Sequence, residues 1–354
     1  MNKQTNPLFR HAVRDLSVIP LKDAVLPVSV REVFFNFSVY ESIKVIKGIP
    51  VFLKDHLERL LESADRLDIS HSFSPEDISR MIFLLIMTDS VAAATFRVQL
   101  IGGMIPMLFI FPQELPVYPN TYYTEGVSVI TYEGERIIPE VKSNSLLLNY
   151  LAQREAEKKQ ALEALFIDRN GCAVEGTRSN FFAVSGNSLI TPGKGILAGV
   201  TRKYILKSAE IMGMEIVYKD PFLEDILNLQ FDELFLSSTS MGAMPISRID
   251  TVLLRNDSQT SERSGTNMMV PFPKRQPLVV RGRKEPYPCP LNSFAVLSGM
   301  EPLVAPGPGL ALGYDTFHFE KCRELHRRVR KLEKDYVNEK RRELNVSLHR
   351  VSTE

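Results

Sequence analysis

Apolar and polar residues follow two different periods in the first third of the chain. Residues 41–45 alternate with the period of a strand, and the turn at Lys47-Gly48 predicts a hairpin that returns through residues 51–53. Leucines at helical spacing follow, and Ser74-Pro75 then marks the start of a second helix. We therefore expect residues 28–111 to form two strands, two helices and two further strands.

Strand and helix patterns alternate from residue 121 to about residue 250, after a proline-rich linker over 112–120. Helices are predicted over 145–160 and 200–212. The predicted strands lie at 126–132, 164–168, 181–184 and 189–190. This order predicts an α+β protein with a small N-terminal domain, residues 1–111, and a larger second domain, residues 121–250.

The regular pattern stops after residue 250. Residues 251–315 are polar and irregular, with many prolines from Pro271 to Pro290, so we expect linker or disorder rather than packed core. A charged helix is predicted for the tail, 316–354, from about Phe319 to Leu344. A narrow apolar seam runs along this helix at Leu325, Val329, Leu332 and Tyr336. Such a seam suits a partner helix, but only about two heptads carry it, so a solvated helix is the favoured interpretation.

Composition excludes several classes of protein. The formal net charge of the 354 residues is +1, which does not favour nucleic acid or a membrane surface as the main partner. The longest apolar run, Met81–Met87, is too short to span a membrane, and residues 1–10 lack the apolar core of a signal peptide. The three cysteines are far apart and show neither a disulfide framework nor metal-ligand spacing. These features predict a cytoplasmic protein without a metal site.

The most informative chemical signal lies between Ile137 and Asn180. Lys142 ends a strand, and Glu175 follows about thirty residues later, before a turn of small residues. A lysine whose pKa is lowered by its surroundings can condense with an aldehyde, exchange with an amine and carry a proton. A carboxylate beside a ring nitrogen keeps that nitrogen protonated. Each residue alone is weak evidence, because a lysine at a strand end is usually solvated; their order with the motifs below makes the case.

Those motifs resemble the class IV aminotransferase family, the fold-type IV pyridoxal 5'-phosphate (PLP) enzymes. The family includes D-amino-acid and branched-chain aminotransferases and aminodeoxychorismate lyase, and the resemblance covers roughly Val33 to Asp250. It implies that Lys142 forms the Schiff base with PLP and that Glu175 pairs with the pyridinium nitrogen. It also implies a homodimer and a two-domain fold with the cofactor in the cleft, followed here by a C-terminal extension that is partly linker and partly helical.

Three motifs match the family's phosphate contacts. They are the helical segment Asp55–Leu60, the turn Gly195–Arg202 that opens a helix, and the hydroxyl-rich strand end Phe235–Ser240. Each also has a simpler explanation, as an amphipathic helix, an N-cap threonine and a loop. Backbone N–H groups at a helix start do, however, form an anion site. The resemblance assigns the phosphate to Arg59, Val200, Thr201, Ser238 and Thr239.

Departures from the family pattern leave the subfamily open. Tyr40 matches the tyrosine that faces the substrate carboxylate in D-amino-acid aminotransferases, but Asn36-Phe37-Ser38 replaces the family's Gly-Asp-Gly. Leu100-Ile101-Gly102 lacks the arginine that those enzymes place before a glycine. Arg97 lies several residues earlier, and strand alternation alone does not decide which way it faces. We expect the usual carboxylate trap to be missing or rebuilt. Leu147, where branched-chain enzymes often have tyrosine, resembles the D-amino-acid branch.

The resemblance predicts transamination between an amino acid and a 2-oxo acid, of the D-amino-acid or branched-chain type. Lys142 would move the proton between the substrate carbon and the cofactor. Two alternatives stay open. One is aminodeoxychorismate lyase, in which the same lysine serves to eliminate pyruvate. The other is a dimeric scaffold for the C-terminal extension whose catalysis has lapsed, against which the intact Lys142 and Glu175 argue.

Overall fold

A computed structural model describes residues 9–254 and 319–351 of the chain, with side chains of the last helix as far as residue 343. Among the described residues, six strands form an N-terminal antiparallel sheet. These strands are β1 (His11–Arg14), β2 (Ser17–Pro20), β3 (Ser38–Ile46), β4 (Ile49–Pro50), β5 (Ala93–Ile101) and β6 (Met107–Gln113). Their order across the sheet is β2-β1-β6-β5-β3-β4. The helical elements here are a 3₁₀ turn (Leu21–Asp23), α1 (Arg31–Phe34), α2 (Leu53–Arg66) and α3 (Pro75–Thr88).

The core of this sheet is built by α2 and α3. Helix α3 begins where predicted, because the Ser74 hydroxyl accepts a hydrogen bond from the backbone N–H of Asp77 at 3.0 Å. Both helices bury aliphatic side chains against the sheet, and each such side chain contributes about 1.5–3 kcal/mol. The predicted order of elements is confirmed, but the second hairpin strand is wrong. Leu53 already starts α2, so β4 is confined to Ile49–Pro50.

The second sheet has a closed section. Its strands are β7 (Val127–Glu133), β8 (Glu163–Ile167), β9 (Ala173–Gly176), β10 (Asn180–Ser185), β11 (Ser188–Thr191), β12 (Glu215–Tyr218), β13 (Glu233–Ser238), β14 (Gly242–Ile249) and β15 (Val252–Leu253). They follow the order β12-β11-β10-β13-β14-β7-β8-β9, with β15 on β14. Because β9 also pairs with β10, the strands from β10 round to β9 close a ring. The accompanying helices are α4 (Asn120–Thr124), α5 (Leu147–Lys158), α6 (Val200–Ile211) and α7 (Leu223–Leu227).

The last helix, α8 (Glu320–Val351), confirms the predicted helical tail but not its solvation. Leu325 and Val329, two residues of the seam, are fully buried in one cluster with Ile205 of α6 and Phe235 of β13. The seam therefore packs on the chain's own second sheet, and the solvated interpretation is wrong. Although α8 has 32 residues, neither it nor any other helix in the described ranges is both long and apolar enough to cross a membrane.

Helix α8 belongs to the same compact unit as both sheets. The predicted irregular segment 251–315 lies outside the described residues, apart from its first four. The boundaries predicted at 1–111, 112–120 and 121–250 stay a prediction.

Candidate active site

Lys142 lies in the loop between β7 and α5, where the second sheet meets the first. Its carbonyl oxygen accepts the backbone N–H of Tyr40 at 2.9 Å, and Ser143 forms a bridge with Val39 of β3. Its own N–H donates to the Ser63 hydroxyl of α2 at 3.3 Å. The backbone of the predicted cofactor lysine is thus held between β3 and α2.

The side chain of Lys142 has the electrostatic surroundings of a nucleophilic lysine. Its Nζ atom lies 4.6 Å from the centre of the Tyr40 ring. Burial, helped by the cations Arg59 and Arg136, lowers the pKa of Lys142, against the opposing effects of Tyr40 and Glu41. A lowered pKa enlarges the neutral fraction of the amine at neutral pH, and the neutral amine is the form that attacks a carbonyl.

Glu175, at the end of β9, is buried and gripped from two sides. Its Oε1 accepts from Nε of Arg136 at 2.6 Å, and its Oε2 accepts from the backbone N–H of Leu197 at 3.1 Å. Burial raises the pKa of the Glu175 carboxyl, while Arg136, the Leu197 N–H and Lys142 lower it. Lys142 is thus close enough to favour the charged form of the Glu175 carboxyl.

Arg136 is a residue that the sequence interpretation missed. Besides Glu175, it donates through Nη1 to the carbonyl oxygen of Val141 at 3.2 Å and through Nη2 to that of Pro139. It therefore ties Glu175 to the loop that carries Lys142. The sequence did show that Arg136 lies in the same loop as Lys142. That signal is weak, because the sequence does not show which carboxylate the arginine contacts.

The turn after Glu175 is shaped by a second buried carboxylate, Glu163. Its Oε1 accepts from the backbone N–H of Arg178 at 2.7 Å and from the hydroxyls of Ser179 and Thr177 at 3.0 and 3.1 Å. A Cβ atom on Gly176 would lie 2.5 Å from that oxygen, so glycine is required there. The small-residue turn seen in the sequence is thus folded around a carboxylate of β8.

Arg59 of α2 is part of a buried polar cluster rather than surface charge. Nε and Nη2 donate to the two oxygens of Glu41 at 2.6 and 2.9 Å, and Nη1 donates to the Ala198 carbonyl at 3.0 Å. Burial would raise the pKa of Glu41, but Arg59 and His56 outweigh it and lower that pKa. A guanidinium has five N–H donors, so these three bonds leave two for a further acceptor.

The loop before α6 connects these groups. Leu197 contacts Glu175 as above, Ala198 contacts Arg59, and Gly199 is the N-cap of α6 with no side-chain cap bond. The first N–H groups of a helix have no acceptor within the helix and carry its positive end. The N–H groups of Val200 and Thr201 therefore open α6 just after the Ala198 carbonyl that Arg59 contacts, and their role as phosphate donors stays a prediction.

Ser238 and Thr239 lie where β13 ends and turns towards β14. Asn180 pairs with both Glu175 of β9 and Ser237 of β13, so Ser238 follows directly after the strand level that carries Glu175. The Ser238 hydroxyl lies 3.3 Å from that of Ser240. The hydroxyl cluster is thus at the same edge of the ring as the predicted ring-nitrogen carboxylate.

The strand register decides the facing of Arg97. Tyr40 pairs with Gln99 and Ser42 pairs with Arg97, which puts Arg97 on the same face of the sheet as Tyr40. Its guanidinium carbon lies 3.4 Å from the Tyr40 ring centre, and Nη2 donates to Oδ1 of Asn144 at 2.5 Å. Burial would raise the pKa of Tyr40, but Lys142 and Arg97 outweigh it and lower that pKa. The cation beside Tyr40 is therefore Arg97, and not an arginine directly before Gly102, where D-amino-acid aminotransferases have one.

Proteins of known type are similar to this chain in sequence. The chain is 29% identical over 251 residues to a putative branched-chain-amino-acid aminotransferase of Methanocaldococcus jannaschii, covering 66% of this chain and 86% of that one. It is 31% identical over 248 residues to a D-alanine aminotransferase of Staphylococcus epidermidis, covering 65% and 85%. It is 28% identical over 249 residues to the aminodeoxychorismate lyase of Bacillus subtilis, covering 65% and 84%.

The fold is likewise that of a solved enzyme. The branched-chain amino acid aminotransferase of Escherichia coli superposes with a TM-score of 0.64 at 21% identity, over 70% of this chain and 88% of that one. This likeness confirms the predicted fold class. The model of the family described as amino-transferase class IV matches residues 38–249, which is more than half of the chain. The protein therefore belongs to the class IV aminotransferases.

Proposed function

We propose that the protein is a PLP-dependent aminotransferase that moves an amino group between an amino acid and a 2-oxo acid. The observation that carries the proposal is the arrangement of Lys142 and Glu175. Lys142 is a half-buried amine of lowered pKa, and Arg136 joins its loop to the buried Glu175 carboxylate. A structural ion pair needs only one cation and one carboxylate, so the lysine is an additional cation that Glu175 does not need as a partner.

The residues present fit the cofactor. Two N–H groups of Arg59, the uncapped start of α6 at Val200 and Thr201, and the hydroxyls of Ser238 and Thr239 provide donors for a phosphate. Glu175 provides an acceptor for the ring nitrogen and Lys142 an amine for the aldehyde. When bound, PLP supplies an electron sink for the bond that breaks at the substrate carbon.

The chain's own residues then divide the work. With PLP bound, Nζ of Lys142 would accept the proton that leaves the substrate α-carbon and would later give one back, and its lowered pKa favours the neutral amine that accepts a proton. The Glu175 carboxylate would keep the ring nitrogen protonated. Arg59, Val200, Thr201, Ser238 and Thr239 would hold the phosphate.

Tyr40 and Arg97 support a carboxylate-bearing substrate. The guanidinium carbon of Arg97 lies 3.4 Å from the centre of the Tyr40 ring, which also faces Nζ of Lys142. A guanidinium group can bind a carboxylate through two parallel hydrogen bonds. The relatives act on branched-chain amino acids or D-alanine by their names, so we propose an amino acid of one of these classes. The lyase of Bacillus subtilis is as similar in sequence, so pyruvate elimination is the second candidate.

A homodimer is the proposed assembly. Large apolar side chains are exposed on α5 and in the loop before it, namely Ile137, Leu147, Tyr150 and Leu151. Such a cluster on a protein surface commonly marks an interface with another chain. The two described cysteines, Cys172 and Cys322, are free and buried, which supports the proposed cytoplasmic location.

The test compares the natural protein with Lys142→Ala and, as a control, with Lys54→Ala, whose side chain is 87% exposed. Purified natural protein and the control should show a visible cofactor band, and borohydride with mass mapping should place the cofactor on Lys142. Transamination of D- and L-amino acids with a 2-oxo acid should fall by several orders of magnitude in Lys142→Ala, because proton transfer and covalent exchange vanish together. An adduct on another lysine, or none, would contradict the proposal; pyruvate release from aminodeoxychorismate without an acceptor would favour the lyase.

A further inference from the structure

We infer that helix α8 holds the proposed phosphate site in shape without contributing a phosphate ligand. Within α8, His326 is the residue that positions the turn between β13 and β14. The inference rests on the proposed function and deepens it, since it concerns how the site for the cofactor phosphate is held. None of the predicted cofactor residues lies on α8, so the helix acts through the residues that it contacts.

His326 packs on the closing leg of that turn. Nδ1 of His326 lies 2.9 Å from the carbonyl oxygen of Ala243 and 3.3 Å from its backbone nitrogen. The shorter contact is a hydrogen bond in the tautomer that carries its proton on Nδ1, in which the ring donates to the carbonyl oxygen. Gly242 lies directly under the ring, because a Cβ atom there would approach Nδ1 to 2.9 Å and Cε1 to 3.0 Å. Gly242 also has a φ of +71°, which favours glycine. The ring and the glycine thus define how closely α8 approaches the turn.

This contact is transmitted to the predicted phosphate ligands by backbone pairing. Ser238 pairs with Gly242, and Ser237 pairs with Ala243, across the two strands. The residues between Ser238 and Gly242 close the turn, and Thr239 is one of them. A shift of Gly242 or Ala243 therefore changes where the Ser238 and Thr239 hydroxyls stand.

Helix α8 is itself held in one position. Glu333 follows His326 by seven residues, two helical turns, and so lies on the same face. Its carboxylate accepts from Nζ of Lys44 on β3, and both side chains are almost fully buried. Arg330 donates to the other Glu333 oxygen at 3.1 Å. Because a buried ion pair loses much of its energy when its geometry changes, this anchor resists sliding of α8.

Helix α8 also contacts the regions around α2 and α6, the other two elements that carry predicted phosphate ligands. Phe52 precedes α2, which holds Arg59, and its ring lies 5.3 Å from that of Tyr336 on α8. The Phe52 ring also stacks on Tyr204 of α6 at 3.8 Å, and Ile205 of α6 packs with Leu325 and Val329 of α8. Three elements that supply phosphate donors, α2, α6 and the β13–β14 turn, are thus packed on one helix.

The contact at His326 works through shape and a hydrogen bond rather than through charge. Burial first, and then the neighbouring Arg330 cation, lowers the pKa of His326 to about 4. The ring is therefore neutral at pH 7. Asparagine can place its amide nitrogen where Nδ1 of histidine stands, so it is the conservative replacement. Glutamine places its amide nitrogen where Nε2 stands and therefore does not replace this hydrogen bond.

The experiment titrates full-length protein with PLP and, separately, with pyridoxal, which lacks the phosphate. His326→Leu should weaken PLP binding about tenfold, the loss of one hydrogen bond, and leave pyridoxal binding unchanged. His326→Asn should restore most of the affinity and His326→Gln should not. Arg327→Ala, on the same helix with a side chain 71% exposed, is the matched control and should bind like the natural protein.

Melting of the cofactor-free variants separates positioning from general support. A merely structural role would lower the melting temperature and weaken PLP and pyridoxal equally, and that result would overturn the inference. Unchanged PLP affinity in His326→Leu would overturn it as well. If the leucine variant fails to fold, equal PLP affinities of the asparagine and glutamine variants would refute it. Natural protein that binds no PLP at all would instead refute the proposed function on which the inference rests.

Discussion

Replacing Arg136 by methionine should destabilise the cofactor-free protein, and the loss should grow with pH. Methionine keeps most of the aliphatic volume but removes the Nε donor that lies 2.6 Å from Oε1 of Glu175. The two side chains are only 8% and 6% exposed, so this is a buried pair. Removing one partner of a buried ion pair costs about 3–5 kcal/mol. We expect the lower end, because the Leu197 N–H still donates to Glu175.

The pH dependence follows from the carboxyl group. Burial already raises the pKa of Glu175 in the folded protein, and without Arg136 that pKa rises further. An unfolded glutamate titrates near ~4.3, and a folded-state pKa above this value gives stability that is present at low pH and lost as pH rises through the folded pKa. The penalty of Arg136→Met should therefore be larger at pH 8 than at pH 5.

Urea unfolding of the cofactor-free protein at several pH values between 5 and 8 measures this penalty. The comparison needs Arg136→Met, Glu175→Gln and the double variant, with Arg169→Met as control. Arg169 pairs with Glu135 at a similar distance, 2.9 Å, but on the surface, so its loss should change stability little at any pH. In the double variant the pH-dependent part should disappear. A penalty that is the same at pH 5 and pH 8, or single effects that simply add, would refute the reasoning.

Further outcomes follow from the same geometry. Glu175→Gln should keep PLP bound but slow proton transfer, whereas Arg59→Ala should weaken PLP binding by about 1.5–3 kcal/mol; the same defect in both, seen by cofactor titration and single-turnover kinetics, would contradict the separate roles. Arg97→Met should raise KM for amino acids and leave KM for an amine without a carboxylate unchanged, so equal increases would count against a carboxylate contact. A chain ending before Phe319 should aggregate and lose its cofactor band, because Leu325 and its buried neighbours contribute about 1.5–3 kcal/mol each; a soluble, yellow fragment with a cooperative melt would show that α8 is dispensable.

Local signals in the sequence were sufficient for much of the fold. Ser74-Pro75 predicted the start of α3 because a cap acts over three residues, and the hydroxyl–N–H bond is present. The start of α6 at Val200 was predicted from the turn before it. Strands β1 and β2, β9 and β12 were missed, since short strands gain most of their stability from pairing with distant neighbours rather than from their own pattern.

For the candidate site, the order of motifs along the chain selected Lys142 and Glu175, but their environment depends on contacts between distant segments. Arg136 reaches Glu175 across 39 positions, and the facing of Arg97 required the register of β3 against β5. No local pattern contains a strand register, because it is set by the packing of a whole sheet face.

The sequence by itself determined the family and the order of the main elements from β3 to β6, and it singled out Lys142 and Glu175, because propensities, caps and motif spacing act over a few residues. Only the tertiary structure decided where α8 belongs. Its narrow seam suits any apolar surface, and on this chain it packs against Ile205 and Phe235. Beside that contact Lys44 and Glu333, 289 positions apart, meet as a buried pair. Burial depends on which surfaces come together in space, and neighbouring letters in the sequence do not contain that information.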